Sequence, residues 1–258
     1  MPFASANGVR LHYEETGDGL PLLLIAGIPA IASDWLPVAE ALAGTHRVIA
    51  FDNRGSGESD TPPGPYTTAE LADDAAALLD ALGAAPADVF GVSMGGMIAQ
   101  ELALRHPASV GRLVLGCTHA ATRTAVRPPK EASRAFAAEV GWAERMRLLS
   151  PFAFTENVDA GLLERFIDKK SGDVQSEEGY RAQIGAVLAH DAAARLGGIG
   201  HETLVITGDD DRVIPAANGE LLAAEIPGAR LVVIPGAGHL FFVERAAETL
   251  AELRAFLD

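Results

Sequence analysis

The sequence predicts an α/β protein: a mostly parallel sheet flanked by helices, interrupted in the middle of the chain by an inserted helical lid. Three observations lead there. Continuous apolar runs such as "PLLLIAG" and "RVIAF" alternate with amphipathic stretches up to residue 118, the pattern of strands buried on both faces and joined by helices. From residue 119 to 199 helix-like stretches follow one another with no convincing strand between them. The alternation then resumes at "TLVITGDDD" and runs to the end. The expected organisation is one core built from residues 1–118 and 200–258, with a lid at 119–199. A chain of 258 residues can bury a substantial core in one such unit.

Each element has its own justification. "VRLHYEE" alternates apolar and polar residues, as a half-exposed strand does. "PLLLIAG" reads as a buried strand ending at Gly27. "SDWLPVAEALAG" reads as a helix with Ser33 at its N-cap and Pro37 in its first turn. "RVIAFDNRGSGES" is a buried strand running into a glycine-rich loop. In "TTAELADDAAALLDALG", Thr67 and Glu70 have capping-box spacing and Gly83 supplies the stop. "DVFGV", "MGGMIAQELALRH" and "RLVLGCT" follow as strand, helix and strand. The lid stretches are "KEASRAFAAEVG", "WAERMRLLS", "DAGLLERFIDKK" and "EGYRAQIGAVLAHDAAARL". A helix at "ANGELLAAEI", a strand at "RLVVIPG" and a final helix complete the chain.

Composition narrows the function. The net charge of −15 argues against a nucleic-acid partner, whose phosphates need clustered Lys and Arg. That charge is segregated: residues 119–199 hold eleven basic and eleven acidic side chains, so the rest carries the entire excess. No run of about 18 uncharged apolar residues exists, so no membrane span is expected. The first residues lack the basic flank and apolar stretch of a signal peptide. Cys117 is the single cysteine and cannot form an internal disulfide, which fits a reducing compartment, and a cytoplasmic location is expected.

The chemistry starts at "DVFGVSMGGMIAQ", where Gly91-Val92-Ser93-Met94-Gly95 matches G-x-S-x-G between a strand and a helix. In so sharp a turn the serine is strained and its neighbours must lack bulk. The hydroxyl then stands above the sheet edge, beside the free N–H groups of a helix N-terminus. A serine needs a base, itself oriented by a third group. Of seven histidines, His239 alone lies in a glycine-flanked loop straight after a buried strand, where such sheets assemble sites. Asp209, Asp210 and Asp211 lie together after another strand and offer the acid.

The motifs "AGIPA", "FDNRGSGESD", "GVSMGG", "GDDDRVIP" and "GAGH", in that order, resemble those of the α/β-hydrolase superfamily, in its lidded, lipase-like and lactonase-like branch. The resemblance covers almost all of residues 9–257. It implies Asp211 as the acid, between Gly208 and Pro215, with Asp209 and Asp210 as loop residues. It also implies an oxyanion hole from the backbone N–H groups of Ile28 and Met94, although Ala26-Gly27 replaces the usual His-Gly. Arg54, in the Asp52–Ser59 loop, is implied to tie loops together. Haloalkane dehalogenases and epoxide hydrolases need an aspartate at position 93, so both are disfavoured. "GVSMGGMIAQ" with "DNRGSGESD" is similar to 3-oxoadipate enol-lactonases. The implied activity is hydrolysis of a small-molecule ester or lactone by Ser93, His239 and Asp211, with no metal or organic cofactor. Trp142, Met146, Phe152 and Leu240 are candidate pocket residues. A small diacid lactone would call for Arg123, Arg127 or Arg145 facing Ser93. A C–C bond hydrolase or a perhydrolase would use the same triad, and a ligand-binding protein with a slow site is the alternative of another class. Oligomeric state is not legible.

Overall fold

The computed structural model describes residues 2–172 and 175–258. Asp173 and Val174, within the expected lid, lie outside the described residues. Strands are β1 (Phe3–Ala6), β2 (Val9–Thr16), β3 (Leu20–Ile25), β4 (His46–Phe51), β5 (Ala87–Val92), β6 (Val110–Gly116), β7 (Thr203–Gly208) and β8 (Arg230–Ile234). They form a sheet in the order β1-β2-β4-β3-β5-β6-β7-β8. The first two pairings are antiparallel and the rest parallel.

Alternation along the strands sends side chains to two cores. Leu23 and Ile25 of β3 face one apolar cluster, whereas Leu22 and Leu24 face the other. The first cluster takes in α2 (Thr68–Ala81) and α3 (Met94–Arg105), through Leu71, Leu78, Ile98 and Leu102. The second takes in α1 (Leu36–Leu42) and α10 (Ala246–Leu257), through Val38, Leu42, Leu253 and Phe256. Each fully buried leucine contributes roughly 1.5–3 kcal/mol, so this two-sided burial fixes the sheet between its helices.

Local signals held in detail, with three exceptions. Thr67 accepts the Glu70 N–H at 3.1 Å and caps α2, while the Glu70 carboxylate reaches Arg54 instead of closing the box. Gly83 adopts φ +58° just past the helix end. Ser33, however, is not a cap: Ala32–Trp35 form a 3-10 turn and α1 starts at Leu36. The Asp34 carboxylate takes the free Ile31 N–H instead, at 2.9 Å. Strand β1 lies outside the elements expected from the sequence. Its signal was present, because Asn7 and Gly8 both have positive φ (46° and 78°) and join Ala6 to Val9, the Asn-Gly hairpin turn.

Between β6 and β7 the chain forms α4 (Lys130–Phe136), α5 (Trp142–Ala153), α6 (Ala160–Gly172) and α7 (Glu177–Ala189). Among the described residues this stretch has no strand, only a bridge between Ala121 and Asp191 that pinches its two ends together. Met146, Leu149 and Ala135 form a small apolar cluster of their own there. Helices α8 (Ala217–Glu225) and the one-turn α9 (Phe241–Glu244) follow β7 and β8. No described helix is long and apolar enough to cross a membrane.

Candidate active site

Ser93 ends β5 and starts α3 with φ 56° and ψ −121°, a conformation that L side chains adopt only when their surroundings enforce it. The enforcement is visible. Ser93 N–H donates to the Gly116 carbonyl at 2.9 Å, and Thr118 Oγ1 donates to the Ser93 carbonyl at 2.8 Å. A methyl at Gly91 would strike the Gly95 carbonyl, and one at Gly95 would strike the Ile25 carbonyl. A side chain at Gly27 would meet Ser93 itself.

Asp211 and His239 stand in the loops after β7 and β8. His239 Nδ1 and Asp211 Oδ2 are 2.8 Å apart, and both residues are buried. The other carboxylate oxygen accepts the N–H groups of Val213 and Ile214, each at 2.8 Å. Burial opposes a charge on the imidazole, but the Asp211 carboxylate and, behind it, the Cys117 sulfur outweigh it and hold the His239 pKa well above 6.5. The neighbouring acids behave differently. Asp209 accepts from Gly236 N–H at 2.7 Å, and both Asp209 and Asp210 are exposed. The remaining histidines have other partners: His12 bonds Asp52, His46 bonds Thr45, His106 bonds Asp73 and His201 meets the Gly111 carbonyl. His190 bonds Thr68 and His119 meets Thr122.

Ser93 and His239 line one cavity of about 400 Å³, together with Ile28 and Met94. Met94 is the first residue of α3, so its N–H has no preceding turn to bond. The Ile28 N–H has no backbone partner among the described residues. Ile28, Ser93 and Met94 therefore border one largely apolar space.

Met146 and Leu240 line this cavity as expected. Trp142 and Phe152 do not. The Trp142 indole packs edge-on to Tyr180 and donates to the Lys170 carbonyl at 2.9 Å, and Phe152 packs into the cluster under α4 and α5. Phe136 and Phe166 supply the aromatic walls. Of the three arginines considered, Arg127 alone lines the cavity. Arg123 is exposed beside Asp191, and Arg145 is buried against Tyr180. Arg54 bonds Asp74 twice at 2.5 Å and also reaches Glu70, tying the loop after β4 to α2. Missed in the sequence were Ile184, Val187 and Leu188, cavity residues one helical turn apart on α7.

This arrangement of sheet, elbow serine and buried imidazole–carboxylate pair defines a class, and comparison with known proteins agrees. Residues 21–246 match the model of the alpha/beta hydrolase fold family, and the chain belongs to it. A relative from Azorhizobium caulinodans named "Putative carbamate hydrolase RutD" is 33% identical over 93% of this chain and 92% of its own. The 2-hydroxymuconate semialdehyde hydrolase of Pseudomonas sp. is 34% identical over 98% and 92%. The enol-lactonase from Burkholderia xenovorans is 32% identical, covers 99% of each chain and superposes with a TM-score of 0.87.

Proposed function

We propose that the protein hydrolyses a carboxylic ester or lactone through an acyl-enzyme on Ser93, and that residues 119–199 act as a lid over the site. The observation that carries this reading is the buried Asp211–His239 pair opening into the cavity that Ser93 borders. Ser93 Oγ attacks the substrate carbonyl as His239 takes its proton. Asp211 orients the imidazole and stabilises its cationic form. The N–H groups of Ile28 and Met94 stabilise the tetrahedral oxyanion. His239 returns the proton to the leaving alkoxide, and water repeats the sequence on the acyl-enzyme. No step calls for a metal or organic cofactor.

Apart from Arg127, the cavity walls favour an uncharged acyl group. Met97, Phe136, Leu149 and Ile184 can pair with no charge, and His119 stays neutral because burial lowers its pKa to about 4. Turnover of p-nitrophenyl butyrate and a short lactone tests the assignment. Ser93→Ala and His239→Ala should remove nearly all of it, and Asp211→Asn should cost about 10⁴ in kcat, with Asp210→Asn near wild type. Equal losses from the two aspartate variants would overturn the choice of acid. A vinylogous diketone belongs in the panel, because the semialdehyde hydrolase relative bears a C–C-cleaving name. Turnover of that compound alone would replace ester hydrolysis with C–C cleavage.

A further inference from the structure

The end of α6 reaches down to the loop that carries Ile28. Lys170 Nζ donates to Asp34 Oδ2, and Lys169 Nζ lies 2.9 Å from Asp34 Oδ1. The Lys170 side chain is only 3% exposed and that of Asp34 16%. Taking both charges out of water is costly, so a contact of this kind between distant segments invites a specific role. The lysine is itself held from a second inserted helix, since its carbonyl accepts the Trp142 indole N–H.

Asp34 also organises its own loop. Its carboxylate accepts the Ile31 N–H, and its N–H donates to the Ile31 carbonyl at 3.0 Å. Ala30 N–H donates to the Gly27 carbonyl at 2.9 Å. Ile28 therefore sits inside the first of two consecutive turns, Gly27–Ala30, and Asp34 closes the second, Ile31–Asp34, directly after it. The core grips the same loop from below: Asp52 accepts the Ala32 N–H at 2.7 Å, and Asn53 donates to the Ala26 carbonyl at 3.1 Å. One anchor belongs to the core. The other belongs to the inserted helices.

We propose that Asp34 is a positioning residue that couples the seating of α6 to the oxyanion loop: with Lys169 and Lys170 docked, its carboxylate holds the Ile28 N–H in place beside that of Met94. When the helices lift to admit substrate, the loop keeps only its core anchor, and the full hole re-forms on closure. This inference rests on the reading of Ile28 as an oxyanion donor. The clasp is not a titrating switch at neutral pH. Burial alone would raise the Asp34 pKa, but the Lys170 charge and the bonds from Lys170, Ile31 and Lys169 bring it below the ordinary 3.8.

The test is steady-state hydrolysis of p-nitrophenyl butyrate, normalised to Ser93 sites titrated with a fluorophosphonate. Asp34→Asn should lower kcat on the order of tenfold with KM changed less than about twofold, because the lost contact matters most in the transition state. Lys169→Gln/Lys170→Gln, which leaves the Ile31 contact intact, should lower kcat similarly. Combining all three changes should add little, as expected of one interaction removed from both sides. Unchanged kcat per titrated site in the lysine variant, or fully additive losses, would overturn the coupling. If Asp34→Asn does not fold, the lysine variant decides alone. Ser93→Ala separates the two levels: residual turnover there sinks the hydrolase reading, whereas a dead Ser93→Ala beside a fully active lysine variant sinks only the coupling.

Discussion

Ser93 carries its strain because its neighbours leave no alternative. A positive φ at a non-glycine residue costs of order 1–3 kcal/mol, and here the Gly116 and Thr118 contacts together with Gly27, Gly91 and Gly95 hold it. The imidazole opposite is tuned by charge. Asp211 holds the His239 pKa above 6.5; in the proposed mechanism His239 is then protonated and inactive as a base in acid, so kcat/KM should fall as pH drops through a limb lying above 6.5. Removing the carboxylate charge in Asp211→Asn should move that limb to lower pH, which a pH–rate profile of the residual activity reads directly. The positions of Ser93 in a strained strand–helix turn and of His239 in the loop after β8 were legible from strand–glycine–helix context and from a glycine-flanked loop after a strand. The choice among three adjacent aspartates was not legible from the residues alone and came from resemblance. Burial sorts them: Asp211 is enclosed and meets His239, whereas its two neighbours face solvent.

At the scale of elements, cavity residues follow helical faces more than residue types. Met146, Leu149, Ser150 and Ala153 lie on one stripe of α5 and all line the cavity, while the bulkier Phe152 points off that stripe. Choosing pocket residues for their aromatic character therefore included Phe152 wrongly. Trp142 misled for another reason, as Tyr180 and the Lys170 carbonyl claim both its ring and its N–H. Shortening the stripe should change chain-length preference. Met146→Ala should raise kcat/KM for p-nitrophenyl octanoate over butyrate by about tenfold, measured as a ratio on one preparation. Among the elements themselves, the buried strands β3 to β7 and α2 were read well because period and capping residues agree there, whereas β8, expected to be buried, is an edge strand in which only Ile234 is buried. The short β1 and the 3-10 turn at Ala32–Trp35 were not, since four residues carry too little periodicity, and for β1 only the Asn7-Gly8 turn gave a signal.

For the whole molecule, the inserted helices and the core meet through polar groups as well as apolar ones. His190, at the end of α7, bonds Thr68 of α2 at 3.0 Å, and its ring lies 6.2 Å from that of His119. Burial lowers both pKa values from 6.5 to about 4. Between those limits the unfolded chain binds protons that the folded chain refuses. Stability should then decline as pH falls from 6.5 towards 4, by up to about 1.4 kcal/mol per pH unit for each histidine. Denaturant unfolding of wild type against a His119→Gln/His190→Gln variant should show the flatter pH dependence in the variant. The excess acidity outside residues 119–199 leaves this contrast intact, because both proteins share it.

By itself the sequence determined the order of the strands and helices from β2 onward, the run of helices between β6 and β7, the strained turn at Ser93 and the loop at His239. These follow from periodicity, capping and glycine placement, which act over a few residues. The tertiary structure decided which aspartate meets the imidazole, which face of α5 looks into the cavity and that Lys169 and Lys170 find Asp34. Those outcomes depend on how distant segments exclude water from one another, and no local pattern encodes that.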